Sequence, residues 1–115
     1  DYIVLMAGLA QREDEILDEA WSTLRQSHAA VLESYPDARD LTRVDQRVVL
    51  RSSVRALVSG GDLSQAEMAD WMRLVAQHRQ FKPELLRDSY RSLQRGCETH
   101  LKVGPVKQLS QTIAD

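Results

Sequence analysis

The chain contains one cysteine, Cys97, which excludes an internal disulfide framework and a multi-cysteine zinc site. Only three prolines and five glycines occur in 115 residues, so few positions force the backbone out of a helix. No apolar run comes near the roughly 20 residues that a membrane-spanning helix needs. Neither sign of charge dominates: a formal charge of −2 and a pI near 5.9 give no global attraction to nucleic acid. Motifs with chemistry of their own are equally scarce. There is no GxGxxG, no Walker A loop, no HExxH and no EF-hand loop. What remains, 43% hydrophobic and 28% charged residues, is the composition of one soluble domain in a reducing compartment, expected in the cytoplasm and away from membranes.

Apolar residues recur at helical spacing along the whole chain. Leu9, Ile16, Leu17, Ala20, Trp21, Leu24, His28, Val31, Leu32 and Tyr35 trace one face of a first helix, which Tyr35-Pro36-Asp37 ends. The residues before it, Tyr2 to Leu9, read as a separate short helix hinged near Gly8. A second helix spans Leu41 to Ser59 with Leu41, Val44, Val48, Leu50, Val54, Leu57 and Val58 inward, and Gly60-Gly61 closes it. Ser64-Gln65-Ala66-Glu67 is a capping box that opens a third helix, whose core face is Met68, Trp71, Met72 and Val75. Pro83 suits the first position of a fourth helix carrying Leu86, Tyr90, Leu93, Cys97 and His100 or Leu101. Val106, Leu109 and Ile113 sketch a short amphipathic tail helix. The pattern predicts an all-α bundle of four main helices with short ancillary ones at both ends, its core anchored by Trp21 and Trp71.

Charge divides between the helices. Residues 10–35 carry two basic and six acidic side chains, whereas residues 37–59 and 82–102 each carry five basic and three acidic ones. Complementary faces between neighbouring helices account for this without a functional patch. The histidines, His28, His78 and His100, fall on separate helices with no ligand spacing, so no metal site is expected. Each reads first as an ordinary boundary histidine, though His78 follows Val75 by three and could face the interior, and Trp71, His78 and Tyr90 form the candidate ligand-binding set. Cys97 shares the period of Leu86, Tyr90 and Leu93 and reads as a buried, inert thiol. Leu63 to Asp70 resembles the opening of a helix-turn-helix, but Trp71-Met72-Arg73-Leu74-Val75 continues the helix where the turn belongs. No residue set reads as catalytic, and the chain is expected not to be an enzyme.

Three elements follow in order between about Gln11 and Leu101: the acidic helix Glu13 to Leu32 ending in a Tyr-Pro loop, the segment Val54 to Leu63 with its Gly-Asp turn, and His78 to Arg91. Together they resemble the N-terminal helical domain of bacterial transcriptional regulators of the purine-catabolism-regulator (PucR/CdaR-like) class, itself similar to the N-terminal domain of RsbR-type stress regulators. Such proteins commonly have a glycine before the short loop, where this chain has Gln80-Phe81. The resemblance implies one helical sensory domain over residues 1–115, a piece of a longer regulator whose DNA-binding domain lies outside this chain. It also implies action by self-association as a homodimer and by binding a small effector or partner, with no cofactor and no direct nucleic-acid contact. The apolar start of the chain, Tyr2, Ile3, Leu5, Met6 and Leu9 with Val4 among them, is the expected interface. Two other readings stand beside this one: a haem or other cofactor-binding, globin-like sensor bundle using His78, and a stand-alone helix-turn-helix domain.

Overall fold

The computed structural model describes residues 2–59 and 65–101; the expected tail helix, the Gly60-Gly61 stop and Ser64 of the capping box lie outside them. Four helices follow in order, α1 (Tyr2–Glu33), α2 (Ala38–Ser59), α3 (Gln65–Arg79) and α4 (Pro83–His100), and there is no strand among the described residues. The chain is the all-α bundle that the spacing predicts. α4 makes its broadest contact with α1, α2 packs on α1 beside it, and α3 lies against α4. α1 and α4 run antiparallel, since Gly8 faces Leu101, Ile16 faces Gly96 and His28 meets Asp88.

The first helix differs from expectation at its start. Tyr2 to Leu9 is continuous with the rest of α1, with no hinge at Gly8. A Cβ on Gly8 would lie 3.4 Å from Leu101 Cδ2, an ordinary contact, so this glycine packs against the end of α4 while staying helical. The departure from helical geometry comes instead at His28 (φ −132°, ψ 27°), where α1 kinks.

The core forms two clusters. Leu9, Ile16, Leu17, Ala20, Val49, Leu50, Met72, Leu93, Cys97 and Leu101 make the larger one, and Leu24, Leu32, Ala38 and Leu85 the smaller. Trp71 and Trp21 are half-buried at the edges of these clusters; the largest fully enclosed side chains are Ile16, Leu17, Leu24, Leu50 and Leu93. An indole spans the border of a small bundle more readily than its centre, because its bulk and its N–H both favour a partly wet site.

α2 keeps Leu50 inward as expected and departs from expectation at Val44 and Val48, while the side chains of Val54, Leu57 and Val58 lie outside the described set. Val44 (53% exposed) and Val48 (40%) point outward, while Thr42, Asp45, Gln46, Val49, Leu50 and Ser53 point in. Buried polar side chains are tolerated where they find partners, as Asp45 and the Gln46 amide nitrogen do, while Gln46 Oε1 has none among the described residues. Gln46 Nε2 donates to the Ser89 carbonyl (3.2 Å) and hydroxyl (3.1 Å), and Asp45 accepts two hydrogen bonds from Arg79. On α4 the enclosed face is Leu85, Ser89, Ser92, Leu93, Gly96 and Cys97, with Leu86 and Tyr90 half-buried beside it.

The α1–α2 and α3–α4 turns sit together at one end. Tyr35 stacks edge-on against Phe81 (centroids 4.9 Å apart, planes at 82°), and its hydroxyl donates to the Gln80 carbonyl at 2.9 Å. α3 ends in a Schellman pattern, with Phe81 N–H donating to the Ala76 carbonyl (2.8 Å) and Gln80 N–H to that of Gln77 (3.1 Å). That pattern puts Gln80 at φ 60°, a conformation in which glycine avoids a clash of its Cβ with the following carbonyl. Gln80→Gly is expected to raise stability by about 0.5–1 kcal/mol in a urea titration, the relief of strain outweighing the greater freedom of the unfolded chain. A loss of stability would contradict the left-handed assignment.

Candidate functional site

The structure brings Trp71 and Tyr90 onto the larger core cluster but leaves His78 exposed on α3. His78 therefore does not take the interior position that its spacing from Val75 allows. The Tyr90 hydroxyl is buried without a hydrogen-bond partner among the described residues. Burial, reinforced by the nearby Asp45 carboxylate, pushes its ionisation well above the ordinary range and keeps the phenol neutral. Beside it, Arg79 Nε and Nη2 reach the two Asp45 oxygens at 2.7 and 2.8 Å, a bidentate pair joining α3 to α2. Sequence reasoning misses this pair because Val44 and Val48 argue for a facing of α2 that leaves Asp45 outside.

The charge asymmetry between helices becomes a seam. Arg43, Arg47 and Arg51, one helical turn apart on α2, meet Asp18, Asp14 and Glu13 of α1. Arg51 grips Glu13 with both ends of its fork, at 2.7 and 2.9 Å. That hydrogen bond outweighs the partial burial of Glu13 and holds its carboxyl below the ordinary value of 4.5. A depressed folded value stabilises the protein above about pH 4.5 and ceases to do so as the pH falls through it. The melting temperature is expected to fall on acidification from pH 5 to 3, and Glu13→Gln to flatten that dependence. An unchanged profile would mean that the pair contributes nothing, as many exposed pairs do.

Cys97 is fully enclosed, and its thiol is pushed up to about 12 by burial and then by Glu98, so the thiolate that reacts or binds metal does not form near neutrality. No cluster of three or more metal-ligating side chains occurs among the described residues, and no described helix is long and apolar enough to cross a membrane.

Among the described residues, clefts open on α1 at two places. One, of about 260 Å³, is bounded by Trp21, Arg25, Leu32, Tyr35, Asp37 and Arg39 near the α1–α2 turn. The other, of about 170 Å³, lies between α1 and α4 and is lined by Thr23, Leu24, Ser27, Asp88, Arg91, Ser92 and Arg95.

The apolar start of α1 divides at Leu9. Leu9 is 6% exposed and belongs to the core, whereas Ile3 (68%), Val4 (53%) and Met6 (44%) face outward. The side chains of Tyr2 and Leu5 lie outside the described set. Leu101, the last described residue after α4, sits against Gly8, so residues 2–7 of α1 run on past it by about 9 Å at 1.5 Å per residue. No protein-family model, curated protein or solved structure matches the chain.

Proposed function

We propose that this chain is the helical regulatory module of a bacterial transcriptional regulator of the purine-catabolism-regulator kind, and that it works by self-association through the start of α1. The resemblance of its acidic helix with the Tyr-Pro loop, its Val54-to-Leu63 segment and its His78-to-Arg91 segment supplies the regulatory context. The observation that carries self-association is the outward row Ile3, Val4 and Met6 on a helix whose next apolar residue, Leu9, is already core. Adjacent exposed apolar side chains on one rigid helix are the usual mark of a protein contact.

The fold gives such a contact a route inward. α1 is one continuous helix from Tyr2 to the kink at His28, and it meets α4 backbone to side chain at Ile16 and Gly96. A tilt imposed at residues 3–6 is carried by this helix to α4, since packed helices shift as bodies and do not deform smoothly. Effector binding would then bias the same movement from one of the two clefts on α1. The exposed His78 favours no cofactor-based alternative.

Cross-linking tests the reading. Because Cys97 is enclosed, a cysteine at position 4 is the reactive one in Val4→Cys. A short bis-maleimide is expected to give a covalent dimer of Val4→Cys and far less of Ser22→Cys, an exposed site further along α1. Equal or absent cross-linking of the two would overturn the contact.

A further inference from the structure

The α1–α4 cleft carries an arginine pair that the rest of the fold does not use. All three arginines of the α2 row lie against α1 carboxylates. On α4, Arg95 has neither an ion pair nor a hydrogen bond among the described residues, and Arg91 has one loose contact, 3.5 Å from Asp88 Oδ1. Asp88 is itself engaged elsewhere, its Oδ2 lying 2.7 Å from His28 Nε2. Arg91 and Arg95 are one helical turn apart on one wall of the cleft. Thr23 and Ser27, also one turn apart, stand on the opposite wall and supply hydroxyl donors.

We propose that this cleft binds a phosphate group, free or at the end of a small molecule, between the Arg91 and Arg95 guanidiniums and the Thr23 and Ser27 hydroxyls. Guanidinium forks match the oxygens of phosphate, and the hydroxyls cap those that remain. The cavity is small and open to water, so the affinity is of the order of millimolar. Asp88 opposes the anion, and its existing contact with His28 lessens that opposition. The site is independent of the contact through Val4 and Met6, and the two are read by different measurements.

Inorganic phosphate titrated at constant ionic strength into the isotopically labelled chain tests the site. The amide signals of residues 23–27 and 88–95 are expected to shift with a saturating curve, at concentrations where chloride has no effect. Arg95→Gln and Arg91→Gln should each weaken binding by about tenfold, as expected for removing one charge-assisted hydrogen bond. Arg87→Gln removes the same charge from the same exposed helix outside the cleft, and is expected to change binding less than twofold. Asp88→Asn should tighten it. Glycerol phosphate in a parallel titration distinguishes the sources: stronger binding than inorganic phosphate assigns an esterified group, weaker binding the free ion, and either ranking supports the site. Linear, non-saturating shifts, or equal losses in Arg87→Gln and Arg95→Gln, would overturn it, because a diffuse basic surface behaves that way.

Discussion

Gly96→Val is expected to destabilise the chain by about 3 kcal/mol, the upper part of the range for forcing extra carbon into a packed core. A Cβ at position 96 would stand 2.9 Å from the Ile16 carbonyl oxygen and 3.1 Å from Ile16 Cγ2. The first of these atoms is helix backbone, which cannot turn aside as a side chain tip does. The two helices must separate, which opens the broadest interface in the bundle. Gly96→Ala is the sharper diagnostic. At an uncrowded helical position alanine gains about 1 kcal/mol over glycine. Here the clash outweighs that gain, and a net loss of about 1 kcal/mol or more is expected on urea unfolding. A stabilised Gly96→Ala variant would show that α1 and α4 do not approach this closely.

Arg79→Met and Asp45→Leu are each expected to cost about 3 kcal/mol, because each strands a largely buried charge. The Asp45 side chain is only 11% exposed and that of Arg79 20%, and their two hydrogen bonds are short. The double variant Asp45→Leu with Arg79→Met removes both charges and fills the space with apolar atoms. It is expected to recover most of the loss, since the cost comes from an uncompensated charge and not from the absence of the pair. Additive losses across the four proteins would mean that the two side chains act separately.

How far the sequence anticipates this fold depends on whether a residue's partner is local. The break at Tyr35-Pro36-Asp37 and the start of α4 at Pro83 are legible because proline acts on its own backbone. The enclosed Cys97 follows from helical period alone. α2 is legible only in part: Leu50 is inward as its spacing suggests, whereas Val44 and Val48 argue for a facing that the distant Arg79 and Ser89 override by making Asp45 and Gln46 acceptable inside. The serines and glycine at 89, 92 and 96 have no apolar signal, yet their smallness lets α4 approach its neighbours. The charge asymmetry between segments is readable, while the pairing of Arg43, Arg47 and Arg51 with α1 requires their common register. For the site, spacing chooses Trp71, His78 and Tyr90, and the structure groups only the first and last. The cleft of Thr23, Ser27, Arg91 and Arg95 joins two segments more than sixty residues apart and leaves no local trace.

Self-association through the start of α1 is the claim on which the functional reading rests, and sedimentation equilibrium measures it directly. Point variants suit the test better than truncation at Ala10, which would remove the core residue Leu9 along with the exposed row. The intact chain is expected to be dimeric at about 50 µM, within the range where a modest interface shows. Val4→Asp with Met6→Asp should sediment as a monomer with the same helical content and melting behaviour, since both side chains are exposed. An intact chain that remains monomeric at this concentration, or a double variant that associates as strongly as the original, would contradict the account.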